Sequence, residues 1–154
     1  MAEEADHLRL DRQLCFPLYA ASNLFGRLYR PMLARLGLTY PQYLVMLVLW
    51  EQAPQSVGAL GSRLHLDSGT LTPLLKRLET AGLVTRRRDA RDERRVLIAL
   101  TEQGRALRHS ARDVPTTLAS GLALPPDDLA DLRATVQHLV AVLATADRAA
   151  PPDG

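Results

Sequence analysis

The chain carries one cysteine, Cys15, close to the start of a segment of good helix formers running from Leu10 to Leu36. The positive end of a helix favours the anionic form of a thiol, and the thiolate is the form that attacks a peroxide. Rotation by about 100° per residue brings positions 19, 22, 26 and 29 onto the side of position 15, so Tyr19 and Tyr29 share the cysteine's face. From position 15 to position 29 a helix rises about 21 Å. Tyr29 therefore cannot touch the Cys15 of its own chain, but a copy of the helix packed antiparallel could bring the two together. A lone cysteine on an apolar helix also suits inert packing, and tyrosines suit any amphipathic interface; rotation leaves both readings open.

Other chemistries fit poorly. A single Cys in 154 residues excludes an intrachain disulfide and a thiolate zinc cluster. His7, His65, His109 and His138 are scattered without ligand spacing, and no glycine-rich phosphate loop is present, so neither metal nor cofactor is expected. A thiol peroxidase would need an activating base or arginine and a resolving partner; only Arg12 lies near Cys15 in sequence, and the expectation is a protein that is not an enzyme. The acidic start, Met1 to Asp6, is unlike a signal peptide, and every apolar run is shorter than a membrane span. A cytoplasmic protein with no membrane partner is expected.

The second constellation is basic. Between Arg63 and Arg95 lie nine basic and five acidic residues, net +4, whereas residues 113 to 154 hold six Asp and two Arg, net −4; the overall +2 hides both. A basic centre of this kind points to nucleic acid.

Four leucines, Leu71, Leu74, Leu75 and Leu78, at i, i+3, i+4 and i+7 predict a helix capped by Asp67 or Ser68 and stopped at Ala81-Gly82. Its opposite face presents Gly69, Pro73, Lys76 and Thr80, flanked by Thr70, Thr72 and Arg77, small polar groups and two cations suited to a major groove. A short helix from Val57 to Leu64, capped by Ser56, precedes it and completes a helix-turn-helix candidate. The period then changes to two over Leu83 to Arg86 and Arg95 to Leu100, a hairpin whose connection, Asp89 to Arg94, is long and charged. Arg91 or Arg94 at its tip, held by Asp89 or Asp92, would fit a narrow minor groove; Arg86, Arg87 and Arg88 alternate and cannot all face one way.

The remaining elements frame this centre. Tyr40-Pro41 after Thr39 opens a helix, apolar almost all round, that Pro54 closes; Pro17 and Pro31 should disturb the helix before it, and Gly37 should stop it. Thr101 caps a helix to about Gly121 that Pro115 should kink, and a last helix starting near Pro125-Pro126 carries a stripe of Leu129, Leu132, Val136, Leu139, Val140 and Leu143. The stripe needs a partner, and the first helix and the last two helices are expected to pack across a two-fold axis in a homodimer. The tail from Ala149 should fray. The fold class is mainly α with a small β-hairpin, in a single domain: residues of about 10–37 and 101–146 for dimerisation and about 55–100 for DNA.

Leu66 to Glu79 (LDSGTLTPLLKRLE), Gly82-Leu83-Val84 and Asp89-x-Arg91-Asp92-x-Arg94 resemble the winged helix-turn-helix of MarR-type regulators across nearly the whole chain. Within that family, Leu14-Cys15-Phe16 with Tyr19, Tyr29 and Leu38-Thr39-Tyr40-Pro41-Gln42-Tyr43 resemble the one-cysteine organic-hydroperoxide sensors, the OhrR type. The resemblance implies that Tyr29 and Tyr40 hydrogen-bond the sulfur of Cys15 across the dimer. It also implies that the reduced dimer represses from a pseudo-palindromic operator on double-stranded DNA and that oxidation of Cys15 releases it. No second cysteine is present, so the sulfenic acid must go to a small-molecule thiol, a backbone sulfenamide or further oxidation. The competing expectation is a repressor of the same fold released by a small aromatic or phenolic ligand.

Overall fold

The computed structural model describes residues 6–150. Residues 1–5, which make up most of the acidic start, and 151–154, the end of the tail expected to fray, lie outside the described residues. The chain divides into two compact units with their boundary between Pro115 and Thr116.

In the first unit a 3-10 turn at Leu10–Arg12 precedes α1 (Cys15–Ala34), followed by α2 (Tyr40–Glu51), β1 (Gln55–Ser56), α3 (Val57–Leu64), α4 (Ser68–Thr80), β2 (Val84–Arg88), β3 (Val96–Leu100) and α5 (Glu102–Ser110). Helix α6 (Val114–Gly121) crosses the boundary, and α7 (Pro126–Ala149) makes up most of the second unit. No helix among the described residues is long and apolar enough to cross a membrane.

Helix α1 begins at Cys15 and not at Leu10. Pro17 is its third residue, where a backbone N–H would have no partner inside the helix, so the proline fits the first turn instead of bending it. Pro31 is accommodated inside α1, and Gly37 and Gly82 take left-handed backbone (φ 69° and 77°) just past α1 and α4, where stops were expected.

Helix α2 starts in a capping box: the Thr39 hydroxyl accepts from the Gln42 N–H (3.4 Å), and the Gln42 side-chain oxygen accepts from the Thr39 N–H (2.9 Å). It is the buried centre of the unit, with Val45 and Met46 fully enclosed, and its core continues through Leu33, Leu49, Leu60, Leu71, Leu75 and Leu78. Each of these buried leucines removes enough apolar surface from water to contribute about 1.5–3 kcal/mol.

The expected hairpin gains a third strand. The sheet order is β1-β3-β2, all antiparallel, with Gln55 opposite Ile98 and Arg86 also opposite Ile98 from the other side. The single helix expected from Thr101 to Gly121 is two: α5 ends at Ser110 and α6 restarts at Val114, with Pro115 in its first turn, where a proline starts a helix more readily than it kinks one. On α7, Leu132, Val136, Val140 and Leu143 stand exposed, as do Leu14, Phe16, Tyr19, Leu24, Phe25 and Leu28 on or beside α1.

Candidate functional site

The candidate nucleic-acid face is built from α4 and the β2–β3 hairpin. Asp67 caps α4: its Oδ1 accepts from the Thr70 N–H at 2.7 Å, and this bond holds the carboxyl below its ordinary range. Leu71, Leu74, Leu75 and Leu78 go to the core, which leaves Ser68, Gly69, Thr70, Pro73, Lys76 and Arg77 exposed on the outer side and Thr72 half-buried. Thr72 Oγ1 donates to the Ser68 carbonyl (2.7 Å) and Thr80 Oγ1 to the Lys76 carbonyl (2.9 Å), so these hydroxyls present their lone pairs outward.

The seven residues between β2 and β3 are held by short-range bonds to Asp89 and Asp92. Asp89 accepts from the Arg91 N–H (3.0 Å) and lies 3.7 Å from the Arg95 guanidinium; its side chain is only 14% exposed. Asp92 accepts from both the N–H and the Nε–H of Arg94 (3.1 and 3.3 Å). Arg88 donates to the Glu93 carbonyl at 3.0 Å. The Arg94 side chain, 92% exposed, therefore projects from a loop tied down at its root.

Alternation turns Arg86 toward the side of Val84 and Ile98, where Glu79 meets it: Glu79 Oε2 accepts from the Arg86 N–H (3.0 Å), and Oε1 lies 3.4 Å from Arg86 Nε. Arg86 stands out in the sequence as part of a basic run, whereas Glu79 shows only as an acid at the end of an otherwise basic helix, and the fold brings the two together.

Cys15 is the first residue of α1 and is exposed. Of the apolar residues near it on α1, Phe16 and Phe25 are exposed and Leu18 is half-buried in the isolated chain. Tyr19 is 68% exposed. Tyr29 and Tyr40 are brought together, ring centroids 4.8 Å apart, and Tyr43 joins them at 5.9 Å from Tyr29 and 6.4 Å from Tyr40. Burial raises all three hydroxyls above the ordinary tyrosine range, Tyr29 to about 12 with further help from its neighbours Tyr40 and Tyr43. At neutral pH they are hydrogen-bond donors, the form that can stabilise a thiolate. Tyr43 in turn meets the edge of Trp50 at 6.5 Å. Among the described residues no group of His, Cys, Asp and Glu is arranged to hold a metal ion.

A helix-turn-helix with a basic outer face, flanked by a basic antiparallel wing, defines a DNA-binding transcriptional regulator of the winged-helix class. Residues 27–110 match the family model described as transcriptional regulator SarA/Rot. The chain is 46% identical over 143 residues, 93% of its length and 97% of the relative's, to the organic hydroperoxide resistance transcriptional regulator of Bacillus subtilis. It is 54% identical to the HTH-type transcriptional regulator TtmR of Methylorubrum extorquens, covering 83% of this chain and 69% of that one. Among solved structures it is similar to reduced AbfR bound to DNA (37% identity, TM-score 0.75, covering 93% of this chain and 99% of that one) and to overoxidised AbfR bound to DNA (41%, 0.68, 87% and 98%). The chain belongs to the MarR family of winged-helix transcriptional regulators, as a relative of the OhrR type.

Proposed function

We propose that the protein is a homodimeric, cytoplasmic repressor that senses organic hydroperoxides through Cys15. The observation that carries this reading is the pairing of Tyr29 with Tyr40 at the opposite end of α1 from an exposed cysteine at its first position. Fourteen residues of helix, about 21 Å, keep the two apart within one chain, whereas an antiparallel α1 from a second copy would bring Cys15 to the tyrosine hydroxyls. The exposed apolar side chains of α1 and the stripe on α7 supply the surface such a dimer would bury.

In the reduced dimer, α4 of each protomer enters a major groove, with Ser68, Thr70, Thr72, Lys76 and Arg77 on bases and phosphates while Arg94 lies in the flanking minor groove. The thiolate of Cys15 attacks the terminal oxygen of ROOH; the O–O bond breaks, sulfur is oxidised to sulfenic acid, and the alkoxide leaves and takes up a proton as the alcohol. A small-molecule thiol then condenses with the sulfenic acid to a mixed disulfide and water. The sulfur no longer accepts the tyrosine hydrogen bonds, the α1 contacts change, and the two reading helices lose their operator spacing. Turnover as a peroxidase is not part of the reading: the nearby Arg12 is engaged by Asp6 at 2.8 Å.

Fluorescence anisotropy on DNA from the protein's own upstream region tests this. Binding should be lost after stoichiometric cumene hydroperoxide with a small thiol, return with dithiothreitol, and be insensitive to peroxide in Cys15→Ser. A second reading, release by an aromatic acid, draws on a cleft of about 490 Å³ lined by Ser22, Asn23, Arg27, Arg30, Thr39 and Tyr40, among others. Such a protein would keep its response in Cys15→Ser.

A further inference from the structure

The chain's one tryptophan is placed where two parts of the molecule meet. Trp50, near the end of α2, packs its edge against Tyr43, and its Nε1–H donates to the Gly104 carbonyl in α5 at 2.9 Å. Gly104 has no room for any side chain: a Cβ there would lie 2.1 Å from the Leu83 carbonyl oxygen. The same oxygen accepts from the Thr101 N–H (3.1 Å), and Thr101 Oγ1 donates to the Gly82 carbonyl (2.6 Å) while accepting from the Gly104 N–H (2.9 Å). Gly82 and Leu83 belong to the three-residue connection, Ala81 to Leu83, that passes the chain from the reading helix α4 to the wing strand β2. A continuous line of contacts thus runs from Tyr29 and Tyr40 through Tyr43 and Trp50 to the joint between α4 and the wing.

We propose that Trp50 is the positioning residue that carries the state of the Tyr29–Tyr40 pair to the base of the wing, through Tyr43 on one side and the Gly104 carbonyl on the other. Helix α2 is enclosed, with Val45 and Met46 fully buried, so it transmits a displacement of its tyrosine end as a body and not by local yielding. The joint it reaches is held by hydrogen bonds with no slack for a side chain at Gly104, and a small shift there re-aims β2 relative to α4. The inference rests on the reading of the tyrosine pair as part of the sensor.

The test is a double-mutant cycle on operator affinity, measured by anisotropy under reducing conditions with Tyr40→Ala, Trp50→Phe and the double variant. Trp50→Phe keeps an aromatic ring beside Tyr43 and removes the bond to Gly104. Tyr40→Ala should change affinity at least fivefold with Trp50 present and less than twofold in the Trp50→Phe background, each variant retaining its circular dichroism spectrum. Equal effects in the two backgrounds, zero included, overturn the proposal. Peroxide is a separate arm: if wild type ignores cumene hydroperoxide while the cycle remains non-additive, the thiol reading fails and the Trp50 link stands. Emission from the sole tryptophan gives a second readout: it should shift on DNA binding in wild type, and an unchanged spectrum counts against the link.

Discussion

The rings of Tyr29 and Tyr40 lie 4.8 Å apart and tilted by 40°, one contributed by the last third of α1 and the other by the first residue of α2. An aromatic pair in this arrangement contributes about 0.5–1.5 kcal/mol beyond its buried area. Replacing either by Phe keeps the ring contact and removes a donor. Tyr29→Phe and Tyr40→Phe should therefore leave thermal stability within about 1 kcal/mol of wild type. Sulfenic acid formation at Cys15, followed with a dimedone probe, should slow by about tenfold, the size of a lost hydrogen bond to a charged group.

Cys15 is exposed in the single chain and has no packing role there. Cys15→Ser should shift stability by less than about 0.5 kcal/mol in urea denaturation and leave operator affinity unchanged. A larger loss would mean that the side chain is needed for structure.

The wing tip and the reading helix should respond differently to substitution. Arg94→Ala should weaken operator binding by about tenfold or more and relax preference at the flanking base steps, whereas Lys76→Ala should weaken binding to all sequences alike and lower the salt slope by about one unit. Asp92→Asn removes the charge that aligns the Arg94 guanidinium but keeps an acceptor for the Arg94 N–H. Its effect should fall between wild type and Arg94→Ala.

Gly104→Ala places a methyl group 2.1 Å from a backbone oxygen. The helix or strand must move, at a cost of about 3 kcal/mol. Gly58→Ala is the control: its Cβ would meet nothing nearer than Ser56 Oγ at 4.0 Å, and it should be neutral or slightly stabilising.

Alkaline pH provides an independent check on the tyrosine cluster. Tyr29 ionises at about 12 in the folded chain and at about 10 when unfolded. Its folded-state value is raised, so its contribution is fully present below pH 10 and is lost as pH rises from 10 through 12. Absorbance at 295 nm should show a late phenolate step that shrinks in Tyr29→Phe, Tyr40 and Tyr43 also being raised, with unfolding midpoints falling across the same interval.

What could be read in advance follows from how local each signal was. Helix α4 was legible because Leu71, Leu74, Leu75 and Leu78 repeat at helical spacing between a cap and a glycine, all within the sixteen residues from Asp67 to Gly82. The Asp89 and Asp92 contacts were legible because an aspartate bonds the backbone two residues on. Strand β1 was not: two residues carry no period, and only pairing with β3 makes them a strand. The start of α1 was misplaced because a proline in a first turn and a proline in a helix interior look alike until the first residue is known. Trp50 and Gly104 are 54 positions apart, and neither residue type announces the other. The tyrosine trio lay half in reach, since Tyr40 and Tyr43 are one turn apart on α2 but only the packing of α1 adds Tyr29.

The bonds from Asp89 and Asp92 that tie the wing loop have a consequence for the operator. Ordering a free backbone costs about 1–2 kcal/mol per residue, and in this loop much of that ordering precedes any encounter with DNA. If Arg94 enters a minor groove as proposed, its loop is already ordered and the adjustment falls on the duplex: steps whose minor groove is already narrow would receive the side chain without bending, while tracts with a wider groove would have to be deformed. Sequence preference at the wing would then be written in the mechanics of the DNA.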